Sequence, residues 1–243
     1  MNTGRTALAA FQTTHWTLVL EAAHPDAPSD NTAFAGLYLA YWHPLYAFAR
    51  RRGLLPAEAE DVIQDFFVRL IEKQALNGLQ HDGGKFRSFL LRSLDNFLAN
   101  EWNRVRTQKR GHGQRHLSLN AGDAEARCAL SVPDHETPES LFEKRWAFAV
   151  LEQVTARLRA EYLEDGKGEL FEQFRVYLQG DHAGPGYAAV GAQRGMSEGA
   201  VAVAVHRLRQ RYGQLLREEI MRTVSSPDEV DAELQHLIRV VGS

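Results

Sequence analysis

The chemistry this chain can offer is concentrated in one stretch, Tyr187 to Tyr212, where basic side chains follow a glycine-centred turn. Val201, Val205, Leu208 and Tyr212 recur at helical spacing and make one apolar face, leaving His206, Arg207, Gln210 and Arg211 elsewhere on the same helix. Gly195 sits where a preceding helix must end in a left-handed residue, a conformation glycine adopts without steric cost. Ser197 follows at an N-cap position, and Glu198 in the first turn complements the new helix's dipole. A short helix, a tight turn and a second helix ending in a basic cluster predict a helix-turn-helix, whose second helix commonly enters the DNA major groove. Glycine-punctuated helix pairs also occur as ordinary hairpins, so this stretch alone leaves both readings open.

Two further clusters carry charge in a pattern. Over residues 57–71, Val62, Ile63, Phe66, Phe67 and Leu70 build a wide apolar stripe, with Glu58, Glu60, Asp61 and Asp65 gathered on the early part of the helix. Such carboxylates complement a helix N-terminus, and they also suit docking to a basic partner. Over residues 86–106, Phe86, Phe89, Phe97 and Trp102 interleave with Arg87, Arg92, Arg104 and Arg106, and the basic run continues through Lys109 and Arg110. Aromatics between arginines fit unstacked bases and the phosphates linking them. Some of these aromatics must nevertheless belong to the core.

The elements that position these clusters are helical. Helical periodicity appears over residues 16–23, 34–52, 57–73, 86–106, 141–162 and 169–178 and in the helix-turn-helix, while strand signals are scarce. Gly53 closes one helix and Pro56 opens the next. Residues 76–84 read as a loop, and residues 111–138 lose periodicity and accumulate Gly, Ser, Asp and Pro. The expectation is an all-α protein of two helical domains, residues 1–110 and 139–222, joined by an extended linker over 111–138. A C-terminal extension follows over 223–243.

In the extension, Ser226-Pro227-Asp228-Glu229 reads as a capping box with proline at the first helical position. Val230, Leu234, Leu237, Ile238 and Val241 then make one apolar stripe on a helix too short to be stable alone. That stripe is expected to fold back on the second helical domain, to dock on another protein, or to cover a binding surface until displaced.

Composition narrows the function. The 243 residues are 44% hydrophobic with a formal net charge of −3, a globular balance. The total hides a basic block over residues 85–115 and an acidic one over 123–143. Cys128 is the single cysteine, which rules out an intrachain disulfide and a thiolate metal cluster. Histidines show no metal-ligand spacing, Gly166-Lys167-Gly168 is too short for a phosphate loop, and no nucleophile–base arrangement is visible. No enzyme, metal or cofactor is expected. Without a signal peptide or an apolar run of membrane-spanning length, a cytoplasmic protein is expected.

A helix reading EAEDVIQDFF, then GKFRSFLLRSLDNFLANEWNRVR, then a linker and a terminal GMSEGAVAVAVHRLR, resembles a bacterial extracytoplasmic-function sigma factor of RNA polymerase. The resemblance spans roughly residues 34–219, and the order of the three blocks makes it more specific than any one of them. It implies core RNA polymerase and promoter DNA as partners and leaves room for an anti-sigma factor or other regulatory protein. By resemblance, Glu58, Glu60, Asp61, Gln64 and Phe67 belong to the helix that docks on the polymerase's largest subunit. Phe86, Arg87, Phe89, Leu90 and Asn96 fall in the region that melts and reads the minus-ten element, with Arg104, Arg106, Lys109 and Arg110 placed to grip phosphates. The loop 76–84 corresponds to one that captures a flipped base, and the acidic linker to a segment threaded toward the active centre. The helix-turn-helix resembles the module that reads the minus-thirty-five element, with DNA contacts expected among Ser197, Glu198, Ala200, Val203, His206, Arg207, Arg209 and Arg211.

Departures from that pattern limit what it implies. Ala200, Ala202, Val203 and Ala204 stand where relatives often place Thr, Lys, Ser and Arg, Arg194 stands where an apolar residue is usual, and Phe89 replaces a frequent Trp. The upstream contact is therefore expected to be weak or shape-based, or to lean on Arg207, Arg209 and Arg211 against phosphates. A free-standing helix-turn-helix regulator with a ligand- or protein-binding N-terminal domain is the alternative. The aromatic–basic helix and the acidic motif before it favour the sigma factor.

Overall fold

A computed structural model describes residues 32–72, 85–108, 136–179, 184–224 and 226–242. All regular structure among them is helical: α1 (Thr32–Arg51), α2 (Pro56–Glu72), α3 (Phe86–Gln108), α4 (Pro138–Glu164), α5 (Gly168–Phe174) running into a 3-10 turn (Arg175–Gln179), α6 (Tyr187–Arg194), α7 (Glu198–Met221), and a second 3-10 turn (Pro227–Glu229) leading into α8 (Val230–Val241). The expected helix at 16–23, the loop 76–84 and almost all of the linker lie outside the described residues.

The described residues divide into two units, one running to Ala149 and resuming at Ile220, the other Val150–Glu219. The first is built on α1, α2 and α3. Gly53, at φ 95°, takes the left-handed position after α1, and the Leu54 N–H returns to the Ala49 carbonyl at 3.3 Å. Pro56 then starts α2, and the Leu55 N–H donates to Glu58 Oε2 at 2.9 Å, so a carboxylate in the first turn caps the residue that opens the helix. Aromatic rings hold the three helices together. Tyr38 meets Phe67 at 4.9 Å between centroids, Tyr41 meets Phe86 at 5.4 Å edge-on, and Trp42 stacks on Tyr46 at 5.1 Å. Ile63, Leu90, Leu94, Phe142 and Trp146 are fully or nearly fully buried in the same unit.

The second unit has its own core of Val154, Leu158, Phe171, Phe174, Tyr177, Val190, Val201, Val205, Leu208 and Leu215. The apolar face expected from Val201, Val205 and Leu208 is therefore the buried one, with Tyr212 packed against its edge. α6 ends at Gly195, left-handed at φ 65°, and Ser197 Oγ accepts the Ala200 N–H at 3.1 Å to cap α7. Gly191 makes this turn possible in a second way: a Cβ there would lie 2.5 Å from the Met196 carbonyl oxygen.

The extension is helical, as its capping sequence implies, but it begins differently and does not fold back on the second helical domain. Ser226 Oγ accepts from the Asp228 N–H at 3.4 Å, and the first turn is 3-10 before α8 proper. Residues from Ile220 onward cluster with the first unit and not with Val150–Glu219. The buried face of α8 is Val230, Glu233 and Leu237, whereas Ile238 and Val241, expected inside the stripe, are exposed.

Candidate functional site

On α2 the acidic cluster splits into an inner and an outer part. Glu58, Gln64 and Asp65 are exposed and Asp61 is half-buried, so these residues line one outward edge of the helix, which continues to the exposed Val68. Glu60 points inward at 1% exposure, and its Oε1 has no hydrogen-bond partner among the described residues. Burial, then the neighbouring Asp61 charge, raises its carboxyl above the ordinary carboxylate range. Phe67 is also core, packed on Tyr38. Of the five residues expected to face polymerase, the surface thus offers Glu58, Asp61 and Gln64, and it adds Asp65 and Val68.

On α3 the aromatics serve mainly the core. Phe86 and Leu90 are fully buried, Phe89 and Phe97 half-buried, and the Arg69 guanidinium lies 4.9 Å from the Phe97 ring centroid while pairing with Glu101 at 2.9 Å. Asn96 and Arg92 are exposed on the outer face, and Asp95 beside them pairs with Arg52. Arg104 and Arg106 lie on α3, but their side chains fall outside the description, as do Lys109 and Arg110 entirely.

Arg87 is not on the outer face. It is 3% exposed, its Nε donates to Glu143 Oε2 of α4 at 2.7 Å, its Nη1 pairs with Glu233 of α8, and its guanidinium sits 4.6 Å from the Trp146 ring centroid. Lys85, just ahead of α3, pairs with the other oxygen of Glu233 at 2.7 Å, and His236 Nε2 lies 2.8 Å from Glu143 Oε2. Burial, then the Arg87 charge, lowers the Lys85 ammonium below its usual range. The described end of the acidic block is consumed in the same way: Glu136 pairs with Lys144, and Glu139 lies 3.9 Å from Arg52. Sequence reasoning missed Glu233 and Glu143 as partners of Arg87.

In the second unit, α7 turns Glu198, Ala200, Val203, His206, Arg207 and Gln210 outward, with Ser197 exposed at its cap and Val203 50% exposed near the middle of that face. Two further arginines of α7 are occupied internally. Arg209 donates from Nε and Nη2 to the Tyr177 carbonyl at 2.9 and 2.6 Å, and Arg211 grips both oxygens of Glu161 at 2.8 and 2.6 Å. Arg194, unusual for its position in the resemblance, reaches back to the side chain of Gln173 and to the Glu169 carbonyl, the latter at 3.2 Å.

Among the described residues, no group of His, Cys, Asp or Glu could hold a metal ion, and no helix is long and apolar enough to cross a membrane. Residues 37–110 match the family model described as Sigma-70 region 2, a stretch that contains α2, α3 and all but the first residues of α1. That stretch is a Sigma-70 region 2 domain, the part of sigma-70-family sigma factors that binds core RNA polymerase; such proteins are transcription-initiation factors and not enzymes. No curated protein and no solved structure matches the chain.

Proposed function

We propose that the protein is a sigma factor of the extracytoplasmic-function type, which binds core RNA polymerase and directs it to a particular set of promoters in the cytoplasm. The observation that carries this reading is the outward edge of α2, Glu58, Asp61, Gln64 and Asp65, on a domain matched as Sigma-70 region 2. A row of carboxylates beside the exposed Val68 suits a basic helical surface on the polymerase, where charge complementarity steers and orients docking. The outer face of α3, with Arg92 and Asn96, and the basic run from Arg104 to Arg110 contact the minus-ten strand. α6 and α7 act as a helix-turn-helix on the upstream element, with Ala200 and Val203 toward the bases and His206 and Arg207 toward phosphates.

Two features of α7 support position over sequence at that element. Alanine has no group for the donor–acceptor pattern of base edges, and valine offers only apolar contact. Arg209 and Arg211, expected at phosphates, hold Tyr177 and Glu161 instead. The reading is tested by mixing the purified chain with core polymerase. A stoichiometric complex that yields run-off transcripts from promoter DNA is expected, whereas a chain that binds duplex DNA but never co-elutes with core polymerase would be a free-standing regulator.

A further inference from the structure

Glu233 is a carboxylate on the wrong face of its helix. Between Val230 and Leu237 the helical period calls for an apolar residue, yet a side chain with 0% exposure stands there, aimed at Arg87 and Lys85. Burying a charged pair costs desolvation that its mutual attraction barely offsets, and apolar replacements of similar volume are often neutral or stabilising. Packing α8 onto this surface therefore does not require a carboxylate. The rest of the attachment includes Val230 and Leu237, both buried, and His236 against Glu143, while Ile238 is 67% exposed, and a helix of this length does not persist without its support. The same segment covers the start of α3, where the Phe86 N–H meets the Thr223 carbonyl at 3.4 Å.

We propose that α8 is a displaceable anionic plug: Glu233 occupies, between Arg87 and Lys85, the place of a backbone phosphate of single-stranded promoter DNA, and the strand and α8 compete for it. The inference rests on the sigma-factor reading for the identity of the competitor. A guanidinium and an ammonium that face the two oxygens of one carboxylate as ion pairs, without forming hydrogen bonds to them, offer the same two positive charges to two oxygens of a phosphate. Because the plug is tethered, its effective concentration is high and it masks these cations until the strand arrives with further contacts. Glu143 keeps Arg87 paired when α8 leaves, so the guanidinium is not stranded without a counter-charge.

The test uses the full chain, a random-sequence pool of single-stranded DNA, and the variants Glu233→Gln and Asp231→Asn. Asp231 is exposed on the same helix and removes the same charge. Glu233→Gln should bind the pool on the order of tenfold tighter, the factor that corresponds to one charge-assisted hydrogen-bond contact of about 1.4 kcal/mol. Wild type makes the same phosphate contact once α8 is displaced, so the salt dependence of log affinity should be similar in the two proteins. Asp231→Asn should match wild type. Equal affinity for folded Glu233→Gln, or an equal gain in Asp231→Asn, overturns the proposal. Hydrogen exchange on wild type decides the matter even where Glu233→Gln fails to fold: α8 amides should lose protection at saturating DNA, and unchanged protection overturns it. If neither wild type nor variant binds the pool at low salt the plug has no competitor and the proposal falls, while the sigma-factor reading stands or falls separately on co-elution with core polymerase.

Discussion

The guanidinium of Arg211 holds Glu161 through both carboxylate oxygens, at 2.6 and 2.8 Å, and so ties α7 to the later part of α4 within the second unit. A side chain held this way is a poor candidate for a DNA phosphate. The hydrogen bond from Arg211 is the main reason the Glu161 carboxyl lies below the ordinary carboxylate range. A depressed carboxylate stabilises the fold above its unfolded-state value and loses that contribution as pH falls through the folded one. Arg211→Ala should therefore lower the melting temperature at neutral pH, and the gap to wild type should close below about pH 4. Because the pair is 39% exposed on both sides, its contribution at neutral pH should stay below about 1 kcal/mol. A gap that persists unchanged at acid pH would show that the carboxylate pairing is not what Arg211 contributes.

Docking through the outer edge of α2 leads to a charge reversal restricted to the surface. Asp61→Lys with Asp65→Lys should abolish co-elution with core polymerase while shifting the melting temperature little, because charges of this exposure rarely decide stability. Glu58 is a worse probe, since its carboxylate also caps the Leu55 N–H. Retention of a stoichiometric complex by the double variant would remove α2 from the interface.

Glu60 calls for a separate experiment. Its raised carboxyl means that the ionised form is disfavoured in the fold, so its contribution is favourable below the unfolded-state value near pH 4 and is lost as pH rises through the folded one. Glu60→Gln should flatten that loss and leave the protein at least as stable as wild type at neutral pH. Glu60→Lys should destabilise it, because a cation would enter a site where even the native carboxylate oxygen lacks a partner. Thermal melts across pH check both outcomes, and a Glu60→Lys protein as stable as wild type would contradict the buried placement.

Helix order, the Gly53–Pro56 junction, the left-handed Gly195 and the Ser197 cap were legible in the sequence because each depends on a few adjacent residues. Three of the buried charges were partly legible too. Glu60 stands three before Ile63 and seven before Phe67, Arg87 stands likewise before Leu90 and Leu94, and Glu233 lies between Val230 and Leu237, so each occupies the inward register of its own helix. Charge type suggests an outer face for all three, and tertiary pairing overrides it for Arg87 and Glu233. What no local pattern could reveal is the partner, since Arg87, Glu143 and Glu233 come from three separate helices. The extension illustrates the same limit. Its helix was legible, but the buried face is rotated from the expected stripe, with Glu233 inside and Ile238 and Val241 outside.

The turn between α6 and α7 separates two kinds of glycine requirement. Gly195→Ala places a side chain in a left-handed conformation with nothing within 4 Å of the new Cβ, so it should cost about 1–2 kcal/mol. Gly191→Ala drives a Cβ to 2.5 Å from the Met196 carbonyl oxygen, a backbone atom that cannot swing aside, and the turn must open. The second substitution should be the more damaging when both are melted under the same conditions. The reverse order would mean that the backbone around Met196 relaxes more readily than its packing suggests.

The last prediction separates Arg207, Arg209 and Arg211 of α7 by what each one holds. Arg207 is exposed on the same face as Ala200 and Val203, whereas Arg209 is bonded to the Tyr177 carbonyl and Arg211 to Glu161. If α7 lies against DNA through that face, Arg207→Ala should remove one phosphate contact. Duplex binding should then weaken similarly for all sequences, and the slope of log affinity against log salt should fall by about 0.9. Arg209→Ala should leave the slope alone and lower the melting temperature, because the Tyr177 carbonyl loses the guanidinium that bonds it. Val203→Ser should change relative affinity among duplexes without altering the slope, since it exchanges an apolar contact with thymine methyl groups for a hydroxyl. A slope unchanged by Arg207→Ala but reduced by Arg209→Ala would reverse the assignment and place the DNA on the other side of the helix.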